Sequence, residues 1–333
     1  MKKLINDPQD FVDEMLDGLL LAHPDQLRAV SPDRRALVRA DAPLSGRVGI
    51  VTGGGSGHLP TFLGYVGEGL CTGVAVGNVF SSPSSEQVLD ATRASDGGAG
   101  VLYLYGNYGG DVLNFDLAAD LADIEGIETR TVLVTDDVAS QPKERTADRR
   151  GVAGLFFAYK CAGAASERGD DLAGVTAAAQ AAVDATRSMG IGLSPTILPT
   201  VGKPTFELDD GEMEIGIGMH GEPGVHRGAL ESADDVADRL LDPILADLQL
   251  TSGERCAVLV NGMGATPLEE LYVLYRRVHA RLTSVGITIV RSYVGEYATS
   301  LEMAGASITV MRLDDATAEL LAAPARSPFF EQR

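Results

Sequence analysis

Short apolar runs alternate with amphipathic stretches along this chain. Phe11, Met15, Leu19 and Leu20 recur at helical spacing after Asn6-Asp7-Pro8, so the pattern predicts an opening helix with a cap candidate and a first-turn proline. Val48–Thr52, Gly73–Val79, Gly100–Tyr105 and Thr131–Thr135 read as strands. Each runs into a turn of small and polar residues: Gly53–His58, Phe80–Ser84, Gly106–Asp111 and Asp136-Asp137. Helical patterns fill the intervals, notably 111–123 and 170–189. Strands alternating with helices predict an α/β fold whose first sheet is mainly parallel. Ligands collect at the carboxyl ends of such strands, where all these turns lie.

The segment 190–204 carries three prolines and several glycines and reads as a linker. A chain of 333 residues is long for one hydrophobic core. Two α/β domains are therefore expected, 1–190 and 191–333. The second half again mixes element types. Strands are expected at 214–219, 256–261, 288–294 and 308–313, and helices at 234–247 and 268–282.

Composition narrows the partners. Lys and Arg number 27 against 47 Asp and Glu, a net charge of −20. Nucleic acids and anionic membrane surfaces attract cationic proteins, so neither is an expected partner. The three cysteines are too few and too scattered for a disulfide framework or a zinc site, and they fit a reducing, cytoplasmic compartment. No pair of His or Cys stands at metal-ligand spacing, so no bound metal is expected. The apolar run 19–22 is far shorter than the ~18 residues that span a bilayer.

Two histidines stand out because glycines frame them. Gly53-Gly54-Gly55-Ser56-Gly57-His58 follows a predicted strand, and Gly216-Ile217-Gly218-Met219-His220-Gly221-Glu222-Pro223-Gly224 follows another. Glycines let backbone approach a small ligand, and imidazoles supply chemistry there. The first loop lacks the Lys-Ser/Thr of a Walker A motif and is not Gly-x-Gly-x-x-Gly. A helix is expected to start near Pro60. Asp111 closes a Gly-Gly-Asp run, where it could act in catalysis or simply cap the following helix. Thr266-Pro267 reads as a helix entry with Thr266 as cap. His23, His226 and His279 lack such framing, and His279 is expected on a helix surface. The residues alone point to a small polar ligand held between two imidazoles, without naming the reaction.

Five ordered motifs carry a family resemblance. Gly53–His58, Gly110-Asp111-Val112-Leu113-Asn114-Phe115, Gly218–Gly224, Asn261-Gly262-Met263-Gly264-Ala265-Thr266 and Thr299-Ser300-Leu301-Glu302-Met303-Ala304-Gly305 resemble the dihydroxyacetone kinase K subunit family. The opening Leu4-Ile5-Asn6-Asp7-Pro8 is similar too, and the likeness runs from about residue 4 to about 315. The resemblance implies a dimeric α/β subunit that binds dihydroxyacetone as a covalent hemiaminal on His220. It implies that His58 and Asp111 meet the substrate hydroxyls and assist proton removal. Gly55, Ser56, Gly57 and Gly106 would complete the substrate site. ATP or ADP with Mg would sit on a separate L-type subunit, and this chain would bind no cofactor itself. The family also includes ketose-binding co-regulators, so a non-enzymatic sensor is the alternative; keeping both His58 and Asp111 favours the kinase.

Two positions depart from the family pattern. His58-Leu59-Pro60 stands where His-Glu-Pro is usual, and Gly106 stands where a lysine is usual. Loss of that lysine implies a roomier, less polar pocket, with a tetrulose such as erythrulose as an alternative substrate. A neutral imidazole is the expected nucleophile, so binding is expected to weaken as pH falls.

Overall fold

In the computed structural model, which describes residues 2–333, two six-stranded sheets carry the chain. The first half runs α1 (Phe11–Ala22), β1 (Leu27–Ala29), β2 (Ala36–Arg39), β3 (Gly49–Ser56), β4 (Gly73–Val79), α2 (Ser85–Ser95), β5 (Val101–Gly106), α3 (Gly109–Ile124) and β6 (Thr129–Val134). Then come α4 (Leu155–Arg168), α5 (Leu172–Asp184), β7 (Thr186–Ser194), β8 (Glu212–Ile215), β9 (His226–Ala229), α6 (Ala233–Leu248) and β10 (Arg255–Gly262). The chain continues through α7 (Leu268–Ser284), β11 (Thr288–Gly295), β12 (Ala304–Leu313) and α8 (Asp315–Ala322).

The first sheet has the order β1-β2-β4-β3-β5-β6. Strands β4, β3, β5 and β6 are parallel, while β1 and β2 add an antiparallel edge. The order reverses beside β3, whose neighbours are β4 on one side and β5 on the other. That switch point opens a crevice at the carboxyl ends of β3 and β5. The second sheet, β11-β10-β12-β7-β8-β9, is parallel only between β10 and β11. The α/β class and the mainly parallel first sheet are as expected from the sequence.

Alternate residues of the strands face different cores, as the two-residue period requires. Ile50, Leu102 and Leu104 pack with Phe156, Phe157 and Tyr159 of α4 and with Ala257, Leu259 and Met311 of the second sheet. Helix α4 therefore lies buried between the sheets. Val51, Tyr103 and Tyr105 face the other way, against Phe115 and Ala118 of α3. Val258, Val260 and Ile308 pack beneath α6 and α7.

Several sequence expectations need correction. Residues 170–189 are not one helix: α5 ends at Asp184 and β7 begins at Thr186. Its Ala-rich stretch continues a helical pattern, and pairing with β12 draws 186–194 into the sheet. The same strand occupies Gly190–Ser194, the first part of the expected linker. The helix expected at Pro60 is only a 3-10 turn at Leu63–Tyr65. Asn6 does not cap α1, which begins after Asp10; its amide instead donates to Glu14. Thr266 is not a cap either. Its hydroxyl donates to the Gly305 carbonyl and accepts from the Gly305 N–H, tying the entry of α7 to β12.

Asp136 joins the two halves beyond β6. Its carboxylate accepts from the Val152 and Gly154 N–H groups, both at 2.8 Å, and from the Ser188 hydroxyl on β7. The group is fully buried, and burial pushes its carboxyl above the usual range against the opposing pull of those donors. Asp136→Ala would leave the buried Val152 and Gly154 N–H groups without a partner, while the Ser188 hydroxyl keeps Thr309, and should cost about 2 kcal/mol or more, read as a lower urea midpoint in equilibrium unfolding.

Candidate functional site

The two framed histidines meet. His58 lies just beyond β3, and Gly57 ahead of it adopts φ +106. A Cβ at Gly57 would come within 2.8 Å of the Phe80 ring, so glycine is what lets the loop close on that ring. The His58 imidazole then stacks on Phe80 at 4.8 Å between centroids and meets Phe62 edge-on. Strand β8 ends at Ile215, earlier than expected, because Gly216 turns with φ +80. The loop that follows is closed by Gly218 N–H to the Glu222 carbonyl and Val225 N–H to the Ile215 carbonyl. His220 sits at its tip.

One segment between β11 and β12 holds both loops. Leu301 N–H donates to the Gly57 carbonyl at 2.7 Å, and Thr299 N–H donates to the His58 carbonyl. The Ser300 hydroxyl donates to the Met219 carbonyl, next to His220. The Thr299 carbonyl accepts from His58 Nδ1 at 2.7 Å. His58 Nε2 consequently faces His220 Nε2 at 3.1 Å. Glu222 grips the other side of His220, with Oε1 2.9 Å from the ring Nδ1 and Oε2 accepting the His220 N–H. Arg150 backs this carboxylate at 3.8 Å and pairs with Asp137 at 2.8 Å.

Burial sets the charges. Desolvation first, and the neighbouring His220 ring second, push His58 down to about 3, so its ring is neutral. Glu222 is held down at about 2: burial acts against ionisation, but the hydrogen bond and charge of His220 outweigh it. Asp111 goes the other way, up to about 6, chiefly through burial. It is the third residue of α3 and does not cap it; the N-terminal flanking residue is Tyr108. Among the described residues its Oδ1 has no hydrogen-bond partner, while Ser82 and then the His220 ring pull its pKa down against the effect of burial. A buried carboxyl with a raised pKa within electrostatic reach of the His220 imidazole is an acid/base arrangement.

The remaining expected site residues pack around the pair in different ways. Ser56 donates its hydroxyl to the Gly77 carbonyl, joining β3 to β4. Gly55 packs against Phe80 and Ser81, where a Cβ would meet the Ser81 nitrogen at 2.6 Å. Gly106 ends β5, and a Cβ there would touch the Tyr108 ring at 3.2 Å. Part of the room expected at Gly106 is thus taken by Tyr108. That ring also meets His220 edge-on at 5.0 Å, and its buried hydroxyl has no partner among the described residues. Leu59 packs away on the groove with Phe11 and Met15. His226 and His279 are exposed and lie outside the site. Sequence reasoning assigned no role to Glu222, Phe80, Arg150 or Thr299, and offered Tyr108 only as a contact for the extra hydroxymethyl group of a tetrulose. Glu222 was the accessible one: a carboxylate two residues from a histidine in a tight glycine turn folds back on its ring.

Gly218 makes that fold possible. A Cβ there would lie 2.1 Å from Glu222 Oε2 and 2.5 Å from Arg150 Nη1. Gly218→Ala should therefore displace Glu222 from His220 and weaken ligand retention by about tenfold or more, at near wild-type thermal stability. Unchanged affinity in a titration would show that Glu222 does not orient His220.

Similarity to known proteins follows the same residues. The Dak1 domain family matches residues 17–329. A relative from Listeria innocua, PTS-dependent dihydroxyacetone kinase 2, dihydroxyacetone-binding subunit DhaK, is 45% identical over 99% of both chains. A D-erythrulose kinase from Mycolicibacterium smegmatis is 46% identical over all of this chain and 57% of its own. The crystal structure of the dihydroxyacetone kinase of C. freundii superposes with a TM-score of 0.90 at 32% identity, covering 99% of this chain and 60% of that one. The chain therefore belongs to the Dak1 domain family, the family of dihydroxyacetone kinase subunits that its glycine motifs resemble.

Proposed function

We propose that this chain is the ketose-binding subunit of a dihydroxyacetone kinase-type phosphotransferase. The observation that carries the reading is the facing pair of Nε2 atoms, 3.1 Å apart, beside the buried Asp111. In this reading His220 Nε2 adds to the ketose carbonyl carbon and holds the substrate as a hemiaminal. Only carbonyl compounds can form that bond, so glycerol is rejected whatever its hydroxyl pattern. The bond also fixes the terminal hydroxyl for in-line attack on a phosphoryl group. Asp111 accepts the proton of that hydroxyl, and His58 assists at the carbonyl oxygen. Nucleotide and Mg reside on an L-type partner subunit, with ATP or a phosphotransferase relay as the phosphate source. The subunit works as a homodimer. The three buried free cysteines fit a cytoplasmic setting.

The kinetic test uses the chain together with an L-type subunit. Asp111→Asn should slow phosphorylation by roughly 10²–10⁴ while leaving ketose binding intact. The wild-type rate should fall as pH drops below about 6, because protonation removes the base. The variant should lose that limb of the profile. A wild-type rate from Asp111→Asn would leave Asp111 no part in the chemistry. His220→Ala should abolish ketose retention altogether.

The substrate is a short ketose, and erythrulose is a specific second reading. Tyr108 supports it, because its ring lies edge-on to His220 beside Gly106, the surface that a fourth carbon would meet. The identity to a D-erythrulose kinase supports it too. With the partner subunit present, kcat/KM for one erythrulose enantiomer should equal or exceed that for dihydroxyacetone. Gly106→Lys should shift preference back by crowding Tyr108. A wild-type preference for dihydroxyacetone of about a hundredfold or more would remove Gly106 as a determinant.

A further inference from the structure

The motif Asn261–Thr266 has no part in the chemistry above. Asn261 opens it, near the carboxyl end of β10. The residue is 1% exposed, and its amide uses every hydrogen-bonding position it has. Oδ1 accepts the Tyr297 N–H at 2.8 Å and the Ala298 N–H at 2.9 Å. Nδ2 donates to the Ala298 carbonyl at 2.8 Å and to the Ser307 hydroxyl of β12 at 3.1 Å.

These contacts fall on two consecutive peptide units that lead to His58. The unit between Tyr297 and Ala298 has its N–H on Asn261 and its carbonyl on the Thr61 and Tyr65 hydroxyls, both at 2.9 Å. The second half of the chain grips one edge of it and the first half grips the other. The unit between Ala298 and Thr299 has its carbonyl on Asn261 and its N–H on the His58 carbonyl. A peptide unit is planar and stiff, so fixing its carbonyl edge aims its N–H edge. The next carbonyl, that of Thr299, receives His58 Nδ1.

We propose that Asn261 is a positioning residue for phosphoryl transfer: through the peptides from Tyr297 to Thr299 it sets the orientation of the His58 ring. The inference rests on the reading of this chain as a ketose kinase subunit. An amide suits the task because one planar group must accept from two N–H groups and donate to a carbonyl. Aspartate offers acceptors only and would set a carboxylate oxygen against the Ala298 carbonyl. Alanine would strip the same backbone groups of their partner.

The arrangement bears on the two histidines unequally. His58 has both its carbonyl and its Nδ1 on Thr299. His220 has the Glu222 carboxylate and the turn that starts at Gly216, and this segment reaches its loop through the Ser300 hydroxyl. Ser300 has an anchor of its own, its N–H on the Met263 carbonyl at 2.9 Å. Disturbing Asn261 should therefore loosen His58 more than His220, and turnover should suffer more than ketose retention.

The test reads Asn261→Asp in two ways. In the full chain labelled with ¹⁵N-histidine, the NMR signal of the His58 Nδ1–H that faces Thr299 should shift or broaden. With an L-type subunit, kcat should fall about tenfold to a hundredfold while KM for dihydroxyacetone changes by less than about threefold. Val258→Ala opens a cavity beneath α6 and α7, away from the site, and should move neither readout at a comparable loss of stability. The double variant Thr61→Val with Tyr65→Phe strips the carbonyl edge of the same peptide. It should act in the same direction with smaller amplitude, and it decides the matter if Asn261→Asp does not fold. An unchanged His58 signal in the folded variants would overturn the proposal. So would a shifted signal with unchanged kcat, or a loss of kcat that Val258→Ala reproduces. Absence of ketose phosphorylation by the wild type would overturn the kinase reading and the transfer role with it. A His58 signal that still moves would then locate the failure in the reaction and not in the geometry.

Discussion

The site depends on the three hydrogen bonds that Thr299 and Leu301 make to His58 and Gly57. These residues belong to the second half of the chain, and the loop they hold belongs to the first. Without them His58 would be one histidine at the end of a parallel strand, and His220 one at the tip of a loop 162 positions away. Ser300 grips the His220 loop through the Met219 carbonyl, so one short segment sets the spacing of both rings. The buried helix α4 and the core that spans both sheets keep that segment from drifting. A site made from strand ends of two sheets needs such a common clamp, because separate loops would each contribute their own freedom.

Electrostatics then separates the tasks of similar groups. Glu222 and Asp111 are both buried carboxyls near His220, yet one is held down at about 2 and the other raised to about 6. The difference lies in their donors. Glu222 receives the ring and backbone N–H groups of His220 and has Arg150 behind it. Asp111 is buried with an oxygen that has no partner, and only Ser82 and the His220 ring pull against that burial. Groups pushed apart in this way can serve as fixed counter-charge and as proton acceptor within one pocket.

Much of this was legible beforehand, for physical reasons. Glycine-framed histidines at strand ends announce themselves, since the glycines are required by positive φ at Gly57 and Gly216. The parallel strands of the first sheet are short apolar runs bounded by turns, and they were placed to within four residues at their ends, Gly73–Val79 without error. What stayed hidden were contacts between distant segments. The start of strand β7, 186–189, was read as helix because its Ala-rich approach is locally helical, and the rest as linker; only pairing with β12 makes both extended. Thr299 looks like any polar residue; its carbonyl matters only because folding brings it to His58. Tyr108 lies in a recognisable motif, but that its ring occupies the space beside Gly106 follows from packing alone.

The central claim is that His220 Nε2 forms a bond to the ketose carbonyl carbon. A crystal of the protein soaked in dihydroxyacetone or erythrulose tests it most directly. The account predicts continuous electron density from the His220 ring to C2, with a tetrahedral carbon and a hydroxyl directed at His58. Separate density for an intact planar ketone, at van der Waals distance from the ring, would contradict it.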